Sequence, residues 1–204
     1  MLRILEVCVD LDGGGIDRYL YNYCSRIEDI QFDFAIVDNG KVGILEAPLK
    51  KLGCNIYRVP RQRVGIQQNY KALQKIMTEN EYDAVHVHLG YKGALALWCA
   101  KKCGIKIRIV HAHIAAEPEG LLYKVIRRLM TYLTKRFATD LAACGNDAAR
   151  WLWGKKTFEK GEVVVHHNAI DTKEYMFSLE NRATVRQALG IGEGTLAVGH
   201  VGRI

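Results

Sequence analysis

Short apolar runs alternate with longer amphipathic stretches along most of the 204-residue chain. The first run, from Arg3 to Val9, predicts a buried strand, and the stretch from about Ile16 to Arg26 predicts a helix. Further strands are predicted at 32–37, 55–59, 84–88, 106–111, 140–143 and 163–166, with helices at 43–51, 69–79, 90–102, 120–137 and 146–153. Continuous apolar runs are typical of strands buried on both faces, so the pattern predicts an α/β fold with a doubly wound parallel sheet.

Three consecutive glycines, Gly13 to Gly15, separate the first predicted strand from the first helix. Glycine lets the backbone approach a ligand closely, and the N-terminus of the next helix offers free N–H groups to an anion. The loop lacks the spacing of G-x-G-x-x-G and the GK[ST] of a Walker loop, which disfavours dinucleotide-binding and P-loop proteins. It predicts either an anion-binding turn, with Gly14 and Gly15 as candidates, or a turn that is merely tight.

The histidines are clustered: six of the seven lie in pairs that close an apolar run. The pairs are His86 with His88, His111 with His113, and His166 with His167. Each pair falls at the carboxyl end of a predicted strand, which is the edge where open α/β sheets bind ligands. The glycine loop, Asn168 and Asp171 follow strands at the same edge, so separate segments of the chain converge on one rim.

Two HxH sequences can chelate a metal ion, because alternate residues of a strand project from one face. No acidic or cysteine ligand accompanies them at a clear spacing, and the six cysteines form no CxxC pair. We therefore predict no metal site. We expect one histidine per strand end to face the ligand, where it can donate to or accept from sugar hydroxyls or phosphate, while its neighbours pack or bond the backbone.

A net charge of +7 and a pI near 9.1 can favour nucleic acid, membrane surfaces or acidic ligands. The predicted helix Gly120–Phe137 interleaves apolar residues with Lys124, Arg127, Arg128, Lys135 and Arg136. It is either a partly buried helix with a solvated basic face or a surface for anionic lipid headgroups. Nucleic acid is disfavoured, because no aromatic stacking platform or known motif accompanies the charge.

Six short motifs occur along the chain: DGGGIDRY at 12–19, VHVH at 85–88, IVHAH at 109–113, NAID at 168–171, RQALGI at 186–191 and GHVGRI at 199–204. Each motif alone is weak, and their order and spacing carry the specificity. Together they resemble a retaining glycosyltransferase of family 4, in the GT-B class, and most of all its capsular and exopolysaccharide branch. The resemblance covers the whole chain.

The resemblance implies two Rossmann-like domains, an N-terminal one that receives the acceptor and a C-terminal one that holds the donor. We assign residues 1–180 to the N-terminal domain. Residues 181–204 are then a linker and the first strand, Thr195 to Val201, of a truncated donor domain. The implied activity transfers a sugar from a nucleotide-sugar, commonly a UDP-sugar, to an acceptor hydroxyl with retention, in capsular, exopolysaccharide or other cell-surface glycan synthesis.

The resemblance also carries site residues over to this chain. It implies that His113 contacts the transferred sugar and is catalytic, and that Gly14 and Gly15 lie against the donor diphosphate or the acceptor. Asn168 matches the family's N-G-[IV]-D stretch as a binding residue, although Ala169 replaces the glycine there.

Arg203 matches the arginine of the family's V-G-R stretch, and its guanidinium would bind the donor diphosphate in a bidentate manner. The family needs no metal or other cofactor. The expected partners are a nucleotide-sugar donor, a lipid-linked or glycan acceptor, and an anionic membrane surface at the basic helix. The chain shows no signal peptide and no apolar run of about 18 residues, so we expect a cytoplasmic protein, with a peripheral position at the inner face of the membrane.

The chain ends at Ile204, before the family's next lysine and its E-x7-E segment. The chain is either a truncated piece of a longer enzyme, whose reading frame continues through both, or a protein that is naturally this short, and we expect the 204-residue chain alone to be inactive. The alternative is a non-catalytic module that binds an acceptor or a partner chain. A nucleotide-binding regulator is a third interpretation, because the fold alone does not determine function.

Overall fold

In the computed structural model, residues 1–114 and 120–200 are described. Seven strands form one parallel sheet: β1 (Leu2–Cys8), β2 (Ile30–Val37), β3 (Ile56–Val59), β4 (Ala84–Val87), β5 (Ile107–Ala112), β6 (Asp140–Ala143) and β7 (Val163–Val165). Their order in the sheet is β3-β2-β1-β4-β5-β6-β7, and every pairing is parallel. The predicted α/β fold with a doubly wound parallel sheet is confirmed.

Within the described residues, eight α-helices accompany the strands: α1 (Gly15–Cys24), α2 (Glu46–Lys51), α3 (Ile66–Glu79), α4 (Ala94–Lys102), α5 (Leu121–Phe137), α6 (Asn146–Trp153), α7 (Lys155–Glu159) and α8 (Leu179–Ala188). Helices α7 and α8 were not predicted. The predicted strand Thr195–Val201 is wrong over 195–200, which are irregular, and Val201 lies outside the described residues. None of the described strands pairs with this segment, and a strand needs a neighbour for its backbone N–H and C=O groups.

The sheet separates two apolar cores. One core packs α1 and α2 against β1 and β2 around Phe34, Leu20 and Leu49. The other packs α3, α4 and α6 against the opposite face around Val85 and Leu97. Strand order explains the division, because the chain winds outward in one direction from β1 to β3 and in the other direction from β4 to β7.

The winding direction reverses between β1 and β4, which are neighbours in the sheet. At such a reversal the loops that leave the two strands diverge and open a crevice at the carboxyl ends, where α/β proteins bind ligands. The glycine loop leaves β1 at this point, and His88 leaves β4 beside it. The fold therefore brings two of the sequence candidates to the same crevice.

The chain divides into two compact units, Met1–Ala169 and Ile170–Ile204. The first contains the whole sheet. The second contains a 3₁₀ turn at Thr172–Tyr175 and α8, which begins after the capping residue Ser178. The domain division at residue 180 stays a prediction. Among the described residues, we find no helix with both the length and the apolar character to cross a membrane.

Candidate active site at the carboxyl edge of the sheet

A buried carboxylate and four histidines project from one face of the sheet. Glu6 of β1 pairs in register with His86 of β4, and His86 pairs with Ile109 of β5. Side chains two residues apart on a strand share a face, so the same face carries His88, His111 and His113. We call His86, His88, His111 and His113 the histidine cluster.

Glu6 lies at the centre of this arrangement. Its Oε2 is 2.7 Å from Nε2 of His88 and 3.2 Å from Nδ1 of His86. Burial alone would raise the pKa of Glu6, but the two adjacent imidazoles outweigh burial and lower the pKa to about 2. Glu6 is therefore a carboxylate, and a carboxylate can only accept hydrogen bonds.

The histidines also contact one another. His88 Nδ1 lies 2.8 Å from His113 Nε2, and His86 Nε2 lies 3.2 Å from His111 Nδ1. The rings of His111 and His113 stack with centroids 4.1 Å apart. We expected the neighbouring histidines to pack or bond the backbone; instead they bond Glu6 and each other, because the strand register places their rings side by side.

Three rings of the histidine cluster favour the neutral form. Burial, followed by the neighbouring imidazoles, lowers the pKa of His113 to about 3. Burial and His86 lower the pKa of His88 to about 4, although Glu6 acts in the opposite direction. The pKa of His111 lies well below its usual value for the same reasons, burial first and then His113. A cation at these three positions would lose hydration and face several other rings, so each of the three carries one proton at neutral pH.

Helix α1 covers the cluster with an aromatic residue. The Tyr19 ring meets His111 and His113 edge to face at 5.1 and 5.5 Å, and its hydroxyl lies 2.9 Å from Nδ1 of His166. The same helix holds the segment after β7: Tyr23 donates to the carbonyl of His167, and Asn22 donates to the carbonyl of Ala169. One helix thus shields the histidines and fixes the last residues of the first unit.

The glycine loop precedes α1 and has its own internal acceptor. Oδ2 of Asp17 accepts from the backbone N–H groups of Gly13 and Gly14 at 3.0 and 2.9 Å. Gly13 requires glycine, because its φ of +91° is strained for other residues. Gly15 faces open space, since a β-carbon added there would have no other atom within 4 Å. Two of the amides that an anion could use are therefore occupied by Asp17, and the free volume lies at Gly15.

His113 is the sequence candidate with the clearest place in the site. It lines a cavity of about 160 Å³ together with Ile16 of the first turn of α1, Gly90 and Lys92. Asn168 is exposed and follows β7 at the same edge. Arg203 lies outside the described residues. The sequence therefore identified His113 and the start of α1 as neighbours. It missed Glu6 and Asp17, because the importance of each of these single acids depends on the strand register or on the contacts at the start of the helix.

Three histidines approach the geometry of a metal site. His86, His88 and His111 each offer a nitrogen within 4.8 Å of the others. In the structure these rings hydrogen-bond to Glu6 and to other histidines through all but one of their nitrogens, His111 Nε2. The site thus has enough donors for an ion but uses them in hydrogen bonds, and the absence of a metal requirement stays a prediction.

A larger cavity of about 640 Å³ opens at the carboxyl ends of β1, β2 and β3. Its walls are mainly apolar, with Val9 and Leu73 among them, and its charged lining residues are three cations, Arg61, Arg63 and Lys92, and one anion, Asp10. Lys92 also lines the cavity of His113. The two cavities are thus adjacent, and the larger one suits a ligand with an apolar part and a negative charge.

Helix α5 exposes apolar residues rather than burying them. Its exposed apolar side chains are Leu121, Leu122, Val125, Ile126, Leu129 and Tyr132, with exposed fractions from 49% to 82%. The opposite face packs on the core through Tyr123, Met130 and Phe137, and Thr134 is buried. The helix is partly buried, as one of the two interpretations of the sequence expected. It also has an apolar face that points outward.

The chain is similar to known proteins along nearly all of its length. EpsF of Bacillus subtilis (strain 168), itself assigned only provisionally as a glycosyltransferase, is 28% identical over 98% of this chain and 54% of its own length. HepE of Anabaena, solved with UDP-glucose, superposes with a TM-score of 0.69 at 17% identity, over 93% of this chain and 50% of its own. MurG of Acinetobacter baumannii superposes with a TM-score of 0.55 at 16% identity, over 83% and 46%.

The chain spans about half the length of these relatives, 54% of EpsF and 50% of HepE. The structural likeness supports the Rossmann-like fold of a GT-B N-terminal domain. The model of Glycosyltransferase Family 4 matches residues 13–174, which include the glycine loop, the histidine cluster and the segment after β7. The chain therefore belongs to Glycosyltransferase Family 4.

Proposed function

We propose that this chain is the acceptor-side half of an enzyme that transfers a sugar from a nucleotide-sugar to an acceptor hydroxyl with retention. The observation that carries the proposal is the cavity where His113 meets the first turn of α1, within a family 4 domain. The relationship to EpsF supports sugar transfer, and the resemblance of the sequence motifs extends the proposal to exopolysaccharide or other cell-surface glycan synthesis. The donor is proposed to be a UDP-sugar, since HepE was solved with UDP-glucose.

His113 is proposed to contact the transferred sugar, because its ring lines the small cavity while a bond to His88 holds it from behind. Gly15 leaves room for the donor diphosphate or the acceptor beside the start of α1. Arg203 is proposed to bind the diphosphate by analogy with the family motif, and Asn168 to line the same edge. The charge that develops on the leaving diphosphate is then balanced by a guanidinium, without a metal ion.

The acceptor is proposed to occupy the larger cavity at β1–β3. Apolar walls accommodate a lipid or the apolar face of a sugar, and Arg61, Arg63 and Lys92 favour a phosphate or carboxylate on it. Lys92 belongs to both cavities, so an acceptor bound here would extend toward His113. A lipid-linked glycan acceptor fits this combination.

Helix α5 is proposed to lie on an anionic membrane surface at the cytoplasmic face. Leu122, Val125 and Leu129 form one exposed apolar stripe. Basic residues flank the stripe along the helix, which is the composition of interfacial helices that bind anionic lipids. The membrane would then supply a lipid-linked acceptor.

The transfer proposal is tested by supplying the purified chain together with the separately produced C-terminal half of EpsF and measuring sugar transfer from radiolabelled UDP-glucose and UDP-GlcNAc to a membrane lipid extract. We expect transfer only with both halves present. A matched sample that carries His113→Ala should lose most of it. Binding of the extract's glycolipid to the chain, with no transfer under any combination of donor and half-enzyme, would favour the non-catalytic binding module.

The membrane proposal is tested with vesicles of phosphatidylcholine, with and without phosphatidylglycerol. The chain should sediment with the anionic vesicles and bind weakly to the neutral ones. The double variant Leu122→Gln with Leu129→Gln should lose binding. The control Leu52→Gln, the same type of substitution at an exposed leucine at the end of α2, should keep it. Equal binding by both variants would remove α5 from the membrane contact.

A further inference from the structure

The hydrogen bonds around Glu6 determine which nitrogen of each neighbouring ring carries the proton. We propose that Glu6 is a positioning residue that sets the tautomers of the whole histidine cluster and so presents a proton-free Nδ1 of His113 to the ligand. The role of Glu6 in sugar transfer rests on the proposed function. The tautomers follow from the contacts of this one buried carboxylate and do not depend on that function.

The first branch runs from Glu6 through His88 to His113. The carboxylate accepts only, so His88 must carry its proton on Nε2, the nitrogen 2.7 Å away. A neutral ring has one proton, so Nδ1 of His88 keeps a lone pair and accepts from Nε2 of His113 at 2.8 Å. His113 then carries its proton on Nε2, and its Nδ1 is a hydrogen-bond acceptor.

The second branch runs from Glu6 through His86 to His111. By the same geometry the neutral form of His86 carries its proton on Nδ1, next to Glu6, and its Nε2 accepts from Nδ1 of His111 at 3.2 Å. Nε2 of His111 is left as a lone pair. This nitrogen is the one atom of the cluster that is buried without a hydrogen-bond partner. A buried unpaired acceptor is less unusual than a buried unpaired N–H, so the observed orphan agrees with the assignment.

The first branch has a chemical consequence for the ligand. A hydroxyl that donates to Nδ1 of His113 would begin a chain in which every bond points toward Glu6: hydroxyl to His113, His113 to His88, and His88 to the carboxylate. Aligned hydrogen bonds polarise and strengthen one another. The group recognised by His113 is therefore a hydroxyl acting as donor, as a sugar provides, and not a phosphate or carboxylate oxygen.

The wild-type chain alone can decide the tautomers. In the 15N-histidine-labelled protein, long-range 15N–1H correlation spectra separate protonated from bare ring nitrogens, and single His→Gln substitutions assign the signals. We expect Nδ1–H rings for His86 and His111 and Nε2–H rings for His88 and His113. The opposite tautomer at His88 or His113 would overturn the proposal.

Glu6→Leu tests the cause, because both contacted rings share one acceptor, Oε2 of Glu6, and leucine offers none. A buried N–H without a partner is more unusual than a buried lone pair, so the His86–His111 pair or the His88–His113 pair should switch tautomer. Glu6→Gln is the conservative variant: its amide oxygen can take the place of Oε2 and accept from both rings, so it should keep the wild-type tautomers. Asp33→Asn is a second control, since Asp33 is an equally buried carboxylate on the adjacent strand and should leave all four tautomers unchanged. No switch in Glu6→Leu, or the same switch in Asp33→Asn, would refute the role of Glu6.

The transfer assay separates a positioning role from a structural one. Where Glu6→Leu switches the His88–His113 pair, turnover per folded molecule should fall by up to about 100-fold, the scale for a misplaced reacting group. Asp33→Asn should lose stability and keep its turnover. If the wild type shows the predicted tautomers but transfers no sugar, the proposed function is contradicted and the tautomer assignment is not. If His113 changes tautomer and turnover stays the same, the positioning role of Glu6 is contradicted and the proposed function is not.

Discussion

Asp33 on β2 and Glu6 on β1 are buried carboxylates on adjacent strands of the same sheet, and they differ in what surrounds them. Asp33 accepts from the Arg3 guanidinium at 2.9 Å, from the Tyr82 hydroxyl at 2.9 Å and from the Asn55 backbone at 2.9 Å. Burial would raise the pKa of Asp33, but these donors, Asn55 first, lower it. Glu6 is likewise held as a carboxylate, by imidazoles.

The two carboxylates differ in the hydrogen-bonding roles that their partners can take. A guanidinium and a backbone N–H can only donate, so Asp33 fixes structure and nothing else. An imidazole can donate or accept at either nitrogen, so Glu6 chooses among chemical forms of its neighbours. Similar buried charges can thus serve stability at one position and the chemistry of a site at another.

The largest expected effect is on turnover in the assembled enzyme. His113→Ala should reduce turnover on the order of 100-fold, as removal of one transition-state contact does in other enzymes. His86→Ala should cost far less, because His86 belongs to the branch that leads away from the small cavity. Steady-state assays on both variants check this. Equal losses would mean that the two branches are not functionally distinct.

The next effect is on stability at the structural carboxylate. Asp33→Ala should lower the free energy of unfolding by about 3 kcal/mol, because it leaves the Arg3 and Tyr82 donors without their partner. Glu79→Gln, which alters an exposed pair with Lys75 at 4.0 Å, should cost less than about 1 kcal/mol. Urea unfolding at pH 7.5 measures both. A loss at Asp33 no larger than at Glu79 would contradict the comparison.

A smaller effect should appear on mild acidification, and only at the histidine side. The pKa of His88 is about 4 in the folded chain, against an ordinary 6.5, so the unfolded chain takes up a proton first as pH falls from 7.5 to 5.5. Stability should therefore decrease over this interval, by about 1 kcal/mol for each such buried histidine. Asp33 is silent here, because its pKa lies below an ordinary 3.8.

Urea unfolding at pH 7.5 and at pH 5.5 measures this decrease, which is the slope of the free energy of unfolding against pH. Asp33→Asn should keep it, and His111→Phe should make it shallower, since one buried histidine is gone. A slope that disappears with Asp33→Asn instead would assign the acid sensitivity to Asp33 and not to the buried histidines.

The smallest expected effect is that of chelation. Treatment with EDTA followed by gel filtration should leave both sugar transfer and the urea midpoint unchanged, because the rings that approach metal-site geometry are engaged in hydrogen bonds. Treatment with 1,10-phenanthroline serves as a second chelator. A loss restored by Zn²⁺ would show that the histidine cluster is a metal site and that its hydrogen bonds give way to an ion.

Apolar patterning was sufficient to predict the sheet, because each strand is a short, mainly apolar run, and β1, β2 and β4 are largely buried on both faces. It failed for α8, where the sequence from Leu179 to Ala188 buries no residue and so carries no apolar stripe to detect. Strand Thr195–Val201 was expected from the family resemblance, as the start of a donor domain, but an apolar run specifies a strand only when a neighbour is present to pair with it.

The site was predictable in its location and not in its contacts. The strand-end rule placed His88, His113 and the glycine loop at one edge, and the structure agrees. Glu6 was invisible as a site residue, since a lone acid in an apolar strand has no sequence signature. Its meaning depends on the register that pairs it with His86, which is set by packing across the sheet.

Helix α1 begins beside the space at Gly15 and, two turns later, holds the carbonyls of His167 and Ala169 through Tyr23 and Asn22. In mechanical terms, α1 is a lever between the cavity beside Ile16 and the carbonyl of Ala169. A ligand that shifted this helix would move Ala169 through these hydrogen bonds and not through the sheet.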